Sequence, residues 1–150
     1  MQNKRKSRRL KIPDQAAWSG YETDLDVRCL HKLFFGKSIE EVIQHFRCNA
    51  IERMDELLYA PRPVFQYYVH AFGQYLMSPD AKGESDSASP FLTLLDARER
   101  KDPGSVQQIL ESLEPYLEIV ANGQEYFDAS VDIYGSFPVR VASIREICSR

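Results

Sequence analysis

The sequence predicts an all-α fold: a single-domain bundle of six or seven helices around a central, uncharged aromatic helix at about residues 63–78. Three observations carry that expectation. Apolar residues recur at three- and four-residue steps almost throughout, which is the period of an amphipathic helix. No segment alternates with period two for long enough to make a strand. Capping and stop residues punctuate the chain at intervals suited to short helices.

Taken in order, residues 1–20 read as a flexible basic arm and entry loop, and residues 21–150 as one helical domain. The arm, MQNKRKSRRLK, holds Lys4, Arg5, Lys6, Arg8, Arg9 and Lys11 and no acid. The first helix is expected to bury Leu25, Cys29, Leu30, Leu33 and Phe34, and to stop at Gly36. Ser38 followed by Glu41 is a capping box, in which each side chain satisfies a free amide at a helix start. Ile51, Met54, Leu57 and Leu58 continue the pattern until Pro61.

The stretch between Arg62 and Asp80 contains no charged residue but five rings: Phe65, Tyr67, Tyr68, Phe72 and Tyr75. Pro63 suits the first turn of a helix. Phe65, Tyr68, Val69, Phe72, Tyr75 and Leu76 share one side of the wheel, with Gln66, Tyr67, His70 and Gln74 opposite. A solvated face would carry Lys or Glu. This helix is therefore expected at the centre, its polar strip hydrogen-bonded internally or lining a cleft.

A polar loop is expected at 78–90, with Ser89 and Pro90 opening the next helix and the mixed-charge run DARERKDPG as its exposed end. Ser105 and Gln108 repeat the capping-box spacing. The apolar series from Val106 to Val120 follows, with Pro115 expected to kink or break it near Glu114. A last helix runs roughly from Phe137 to Cys148.

Composition narrows the function. Hydrophobic residues make up 43% and the net charge is −3, values of a globular chain. Setting the six basic residues of the arm aside leaves 13 bases against 22 acids, so residues 12–150 carry −9. Three scattered cysteines make no disulfide framework and fit a reducing compartment. Cys29 and Cys148 read as core and Cys48 as exposed. The basic N-terminus lacks the apolar run of a secretory signal. The uncharged stretch is shorter and more polar than the roughly 20 apolar residues of a membrane span. A cytoplasmic protein without a membrane partner is the expectation.

Motifs for chemistry are missing. There is no GxSxG, HExxH, phosphate-binding glycine loop or GxGxxG. Glu41 and His45 share a helical face, but two ligands fall short of a metal site. Asp24, Arg28 and His31 form a stripe that a surface ion pair explains. No metal or cofactor is expected, and the balance is against an enzyme. The candidate ligand pocket is the strip Gln66, Tyr67, His70 and Gln74.

The acidic body suggests binding. Glu52, Asp55 and Glu56, with Glu111, Glu114 and Glu118, sit close enough on short helices to repel one another unless a basic partner meets them. The leading expectation is a small protein that binds another protein with a basic surface through these acidic patches, as an inhibitor or immunity-type protein does. The alternatives are a ligand-binding or enzymatic bundle using the pocket around His70, and a nucleic-acid-associated regulator using the arm. An acidic body argues against nucleic acid as the partner.

Overall fold

Helix starts and stops fall where local chemistry puts them. In the computed structural model, which describes residues 10–150, seven α-helices pack into one compact domain, with no strand among the described residues. They are α1 (Leu25–Phe34), α2 (Ile39–Tyr59), α3 (Arg62–Leu76), α4 (Ser85–Lys101), α5 (Leu110–Ala121), α6 (Val131–Tyr134) and α7 (Phe137–Cys148). Asp24 caps α1 through the amide of Val27, and Gly36, at φ +76°, supplies the left-handed residue just past its end. Both halves of the Ser38–Glu41 capping box are formed.

α2 joins the two segments that the apolar pattern separates. It bends at Asn49, whose backbone leaves helical values (φ −161°, ψ 74°) while its side chain accepts from the amide of Glu52 and so caps the second half.

The uncharged aromatic segment is the centre of the bundle. α3 packs against α2, α4 and α5, and against the 3₁₀ turns Ala16–Trp18 and Pro79–Ala81. Eleven of its 15 residues are buried. Its rings belong to a chain of aromatic contacts that runs from Trp18 to Tyr68 (6.2 Å), Phe34 (4.8 Å), Phe46 (5.8 Å), Phe72 (4.9 Å), Phe91 (5.2 Å) and Tyr116 (6.3 Å). Each such pair adds about 0.5–1.5 kcal/mol beyond the burial of its area. Gly73 lets α5 approach: a Cβ there would lie within 2.6 Å of three atoms of the Tyr116 ring, far inside van der Waals contact.

Several expectations change. Within the expected entry loop Trp18 is fully buried, and its turn Ala16–Trp18 packs on α3. The arm residues Lys4, Arg5, Lys6, Arg8 and Arg9 lie outside the described residues, and Lys11 is exposed. In α1 the buried set is Val27, Leu30 and Phe34; Leu25 and Cys29 point outward, because 27, 30 and 34 share a face that 25 and 29 oppose. Cys48 is exposed and Cys148 buried. The loop expected over 78–90 ends sooner, since α4 begins at Ser85 and runs through Pro90. A proline early in a helix forfeits only the carbonyl four residues back, here that of exposed Asp86.

Pro115 is accommodated in the same way inside α5, releasing the carbonyl of exposed Glu111. The break comes earlier, between the 3₁₀ turn Gln107–Ile109 and Leu110. The capping box at Ser105 and Gln108 does not form. Instead, Glu99 receives the amides of Gly104, Val106 and Gln107 at 2.8–3.0 Å, and the Ser105 hydroxyl accepts from Arg98. Arg98 and Glu99 are therefore buried, although they belong to the run expected to be an exposed end.

Candidate functional site

The strip Gln66, Tyr67, His70 and Gln74 is used inside the bundle. Tyr67 is buried and its hydroxyl accepts from the amide of Ile39 at 3.2 Å. Gln66 donates to the Ser105 carbonyl and to Gln108 Oε1, both at 3.0 Å. Gln74 is half-buried. His70 is 5% exposed. Its Nδ1 faces the carbonyls of Gln66 (3.0 Å) and Tyr67 (3.3 Å), which can only accept, so the proton of the neutral ring sits on Nδ1. Nε2 then faces the Ser112 hydroxyl at 2.9 Å, whose single proton also has the Ile109 carbonyl within reach at 2.7 Å. Burial holds the His70 pKa below its ordinary value, against the pull of the two carbonyls. Both nitrogens are partnered, and the strip is spread over three neighbours: Tyr67 meets the start of α2, Gln66 the segment before α5, and His70 α5 itself.

The acidic candidates part company. Glu56 is buried, and its carboxylate accepts from Arg53 Nε (2.6 Å) and Nη2 (2.8 Å), so it lies beneath the surface. Burial pushes the Glu56 carboxyl up, and the Arg53 fork draws it back. Glu52 and Asp55 are exposed beside it. On α5, Glu111 is exposed, while Glu114 and Glu118 share Arg145 of α7, at 2.6 Å and 3.0 Å. Two carboxylates on one guanidinium leave a net charge of −1.

That residual charge borders an apolar groove. Leu76 and Met77 from the end of α3 face Pro115, Glu118 and Ile119 of α5 and Asn122 just past its end, and Gly123 and Tyr126 complete the lining around a volume of 540 Å³. Leu76 is buried and forms the floor, whereas Met77 (49%), Ile119 (40%) and Tyr126 (42%) stand exposed along the walls. The lining includes an acid and no base. Such a groove can seat a large apolar side chain and hold a cation at its edge.

The other expected constellations have local roles. Asp24 is a helix cap, and His31 stacks on Tyr21 (3.7 Å) and Phe35 (4.7 Å). Glu41 is committed to its capping box, and His45 packs at 5.5 Å from Phe34. Among the described residues, no group of three or more His, Cys, Asp or Glu could hold a metal ion, and no helix is long and apolar enough to cross a membrane. Burial pushes the Cys148 thiol up to about 11, which keeps it protonated.

Sequence reasoning does not single out Met77, Ile119 or Tyr126. Ile119 sits within an apolar series whose buried members are Leu113, Tyr116, Leu117 and Val120, and only a helical wheel that places it off their face would separate it. Compared with family models, curated proteins and solved structures, the chain matches none.

Proposed function

We propose that this protein works by binding another protein, and that the groove between α3 and α5 is the surface it uses. The single observation that carries the reading is the convergence of Met77, Ile119 and Tyr126, all substantially exposed, on one groove with a carboxylate at its edge. Exposed apolar side chains scattered singly need no explanation; grouped around a concavity they favour a partner. Charge complementarity specifies the occupant. It is a protein segment with a large apolar anchor flanked by Lys or Arg, the anchor entering between Ile119 and Tyr126 and the cation meeting Glu118, with Glu111 nearby on the same helix. Glu52 and Asp55 supply further negative potential that steers such a partner. An inhibitor or immunity-type protein that covers a basic surface works in this way.

Selection of a displayed random-peptide library on the immobilised chain tests the proposal without a known partner. Enriched peptides are expected to share an apolar anchor beside Lys or Arg. Ile119→Asp should weaken them roughly tenfold or more, and Glu118→Lys several-fold with a loss of salt dependence. No enrichment, or peptides that bind Ile119→Asp as well as they bind the parent, would overturn it.

A further inference from the structure

Between α4 and α7 lies a second, smaller pocket of 240 Å³, lined by Leu92, Thr93, Asp96 and Arg100 on one side and by Arg140, Ser143 and Ile144 on the other. Its walls differ in kind from those of the apolar groove. Arg140 is half-buried, and its terminal nitrogens donate to the Ser89 hydroxyl and Tyr134 carbonyl (2.9 Å each), the Ser89 carbonyl (3.2 Å) and Thr93 Oγ1 (3.0 Å). All four acceptors are neutral. The guanidinium is thus oriented by the fold with no carboxylate in contact. Partly buried charges are ordinarily paired.

The remaining charges do not cancel it. Asp96 is taken by Arg100 of its own helix, at 3.1 and 3.2 Å from Nε. Counting Arg100, Arg140 and Asp96 together, the pocket keeps one positive charge inside a chain that is net negative. Its unused hydrogen-bonding groups have a common character. Among the described residues, Arg140 Nε, the two terminal nitrogens of Arg100 and the Ser143 hydroxyl make no hydrogen bond, and Thr93 Oγ1 accepts one while its own proton is unassigned. Every one of these groups can donate. A ligand that satisfies them must be an acceptor with several oxygens and negative charge.

We propose that this pocket binds a phosphate group, as inorganic phosphate or as a small phosphomonoester, between Arg100 and Arg140 with Ser143 and Thr93 completing its coordination. A tetrahedral anion can accept from both helices at once, and the Arg140 clasp fixes half of the site before the ligand arrives. Burial also lowers the Arg140 pKa, a cost to the charged form that an incoming anion offsets. Asp96 is the resident competitor: it holds Arg100 when the pocket is empty and must share it when the pocket is filled.

The test is a titration of the intact chain with inorganic phosphate, and separately with glycerol phosphate, each against sodium chloride at equal ionic strength. The readout is the arginine Nε–H signals in nitrogen-15 spectra. Saturable shifts at Arg100 and Arg140 are expected. Arg100→Gln and Ser143→Ala should each weaken binding roughly tenfold or more for the charged contact and a few-fold for the hydroxyl. Asp96→Asn should tighten it by removing the competing carboxylate. Tighter binding of glycerol phosphate points to a phosphorylated small molecule, and equal binding points to the free anion. Shifts that chloride reproduces, shifts that do not saturate, or an Arg100→Gln protein that titrates like the parent would overturn the proposal.

Discussion

Replacing Arg98 by Met should cost more stability than any other change of one charged side chain on α4. The guanidinium donates from Nη1 to the carbonyls of Leu57 (3.1 Å), Leu58 (2.9 Å) and Ala60 (2.7 Å) at the end of α2; Leu57 also accepts from the amide of Ala60 (3.3 Å), so the carbonyls of Leu58 and Ala60 are the two that rely on Arg98. Nε donates to the fully buried Ser105 hydroxyl at 3.0 Å, and Nη2 reaches Asp102 at 3.3 Å. The same group lies 4.8 Å over the Phe65 ring. Methionine fills similar space and donates nothing. Each buried acceptor left without a partner costs about 1–3 kcal/mol, and part of that sum returns because a charge no longer has to be desolvated. The expected net loss is about 3–5 kcal/mol, the range found when one member of a buried charged network is removed. For a chain of this size that lowers the thermal midpoint by roughly 10 °C. Urea unfolding followed by far-ultraviolet circular dichroism measures the difference, with Arg100→Met as the control. Arg100 is exposed and, among the described residues, pairs only with Asp96 one turn away, an arrangement worth about 0.3–0.5 kcal/mol. If Arg98→Met falls within about 1 kcal/mol of Arg100→Met, the reasoning that Arg98 closes the end of α2 is wrong.

Two more perturbations probe the packing and the charges. Gly73→Ala should destabilise by about 1–3 kcal/mol despite a gain of about 1 kcal/mol in helix propensity, because the new methyl enters the space of the Tyr116 ring. Combining it with Tyr116→Leu should recover part of the loss in a double-mutant cycle, and a more stable Gly73→Ala protein would refute the close crossing. Hydrogen bonds from Arg62 hold the Asp102 carboxyl down to about 2, below the ordinary value of 3.8. Its contribution is therefore complete above the ordinary value and is lost as pH falls from about 4 towards 2. Urea midpoints measured across that window should drop less in Asp102→Asn than in the parent.

The fold was legible wherever one helix face was decisively apolar or decisively uncharged. The lack of any charge between Arg62 and Asp80 is enough to place α3 inside, because no other position excuses a helix with no Lys or Glu on its outer side. Local capping was legible at Ser38 and illegible at Ser105, where a carboxylate from the preceding helix takes the amides first. The working surfaces were harder to see. A glutamate reads the same whether it is free like Glu111, shared like Glu114 or sunk against an arginine like Glu56; only the position of the arginine tells them apart, and Arg145 lies 31 residues from Glu114. Arg98, Glu99 and Arg140 were hidden for the converse reason. Charged residues default to the outside in any composition argument, so a charge that ties helices together is found only once its acceptors are known.

The position of α3 has a consequence for how the chain comes apart. Its partners are drawn from both sides along the sequence: the turn at Trp18 and α2 before it, α4 and α5 after it. A cut anywhere between Trp18 and α5 parts this helix from some of the elements that cover it. A protease nick in the turn around Lys82 would leave two halves that each need the other for shelter, so they should stay clasped and melt together in one transition.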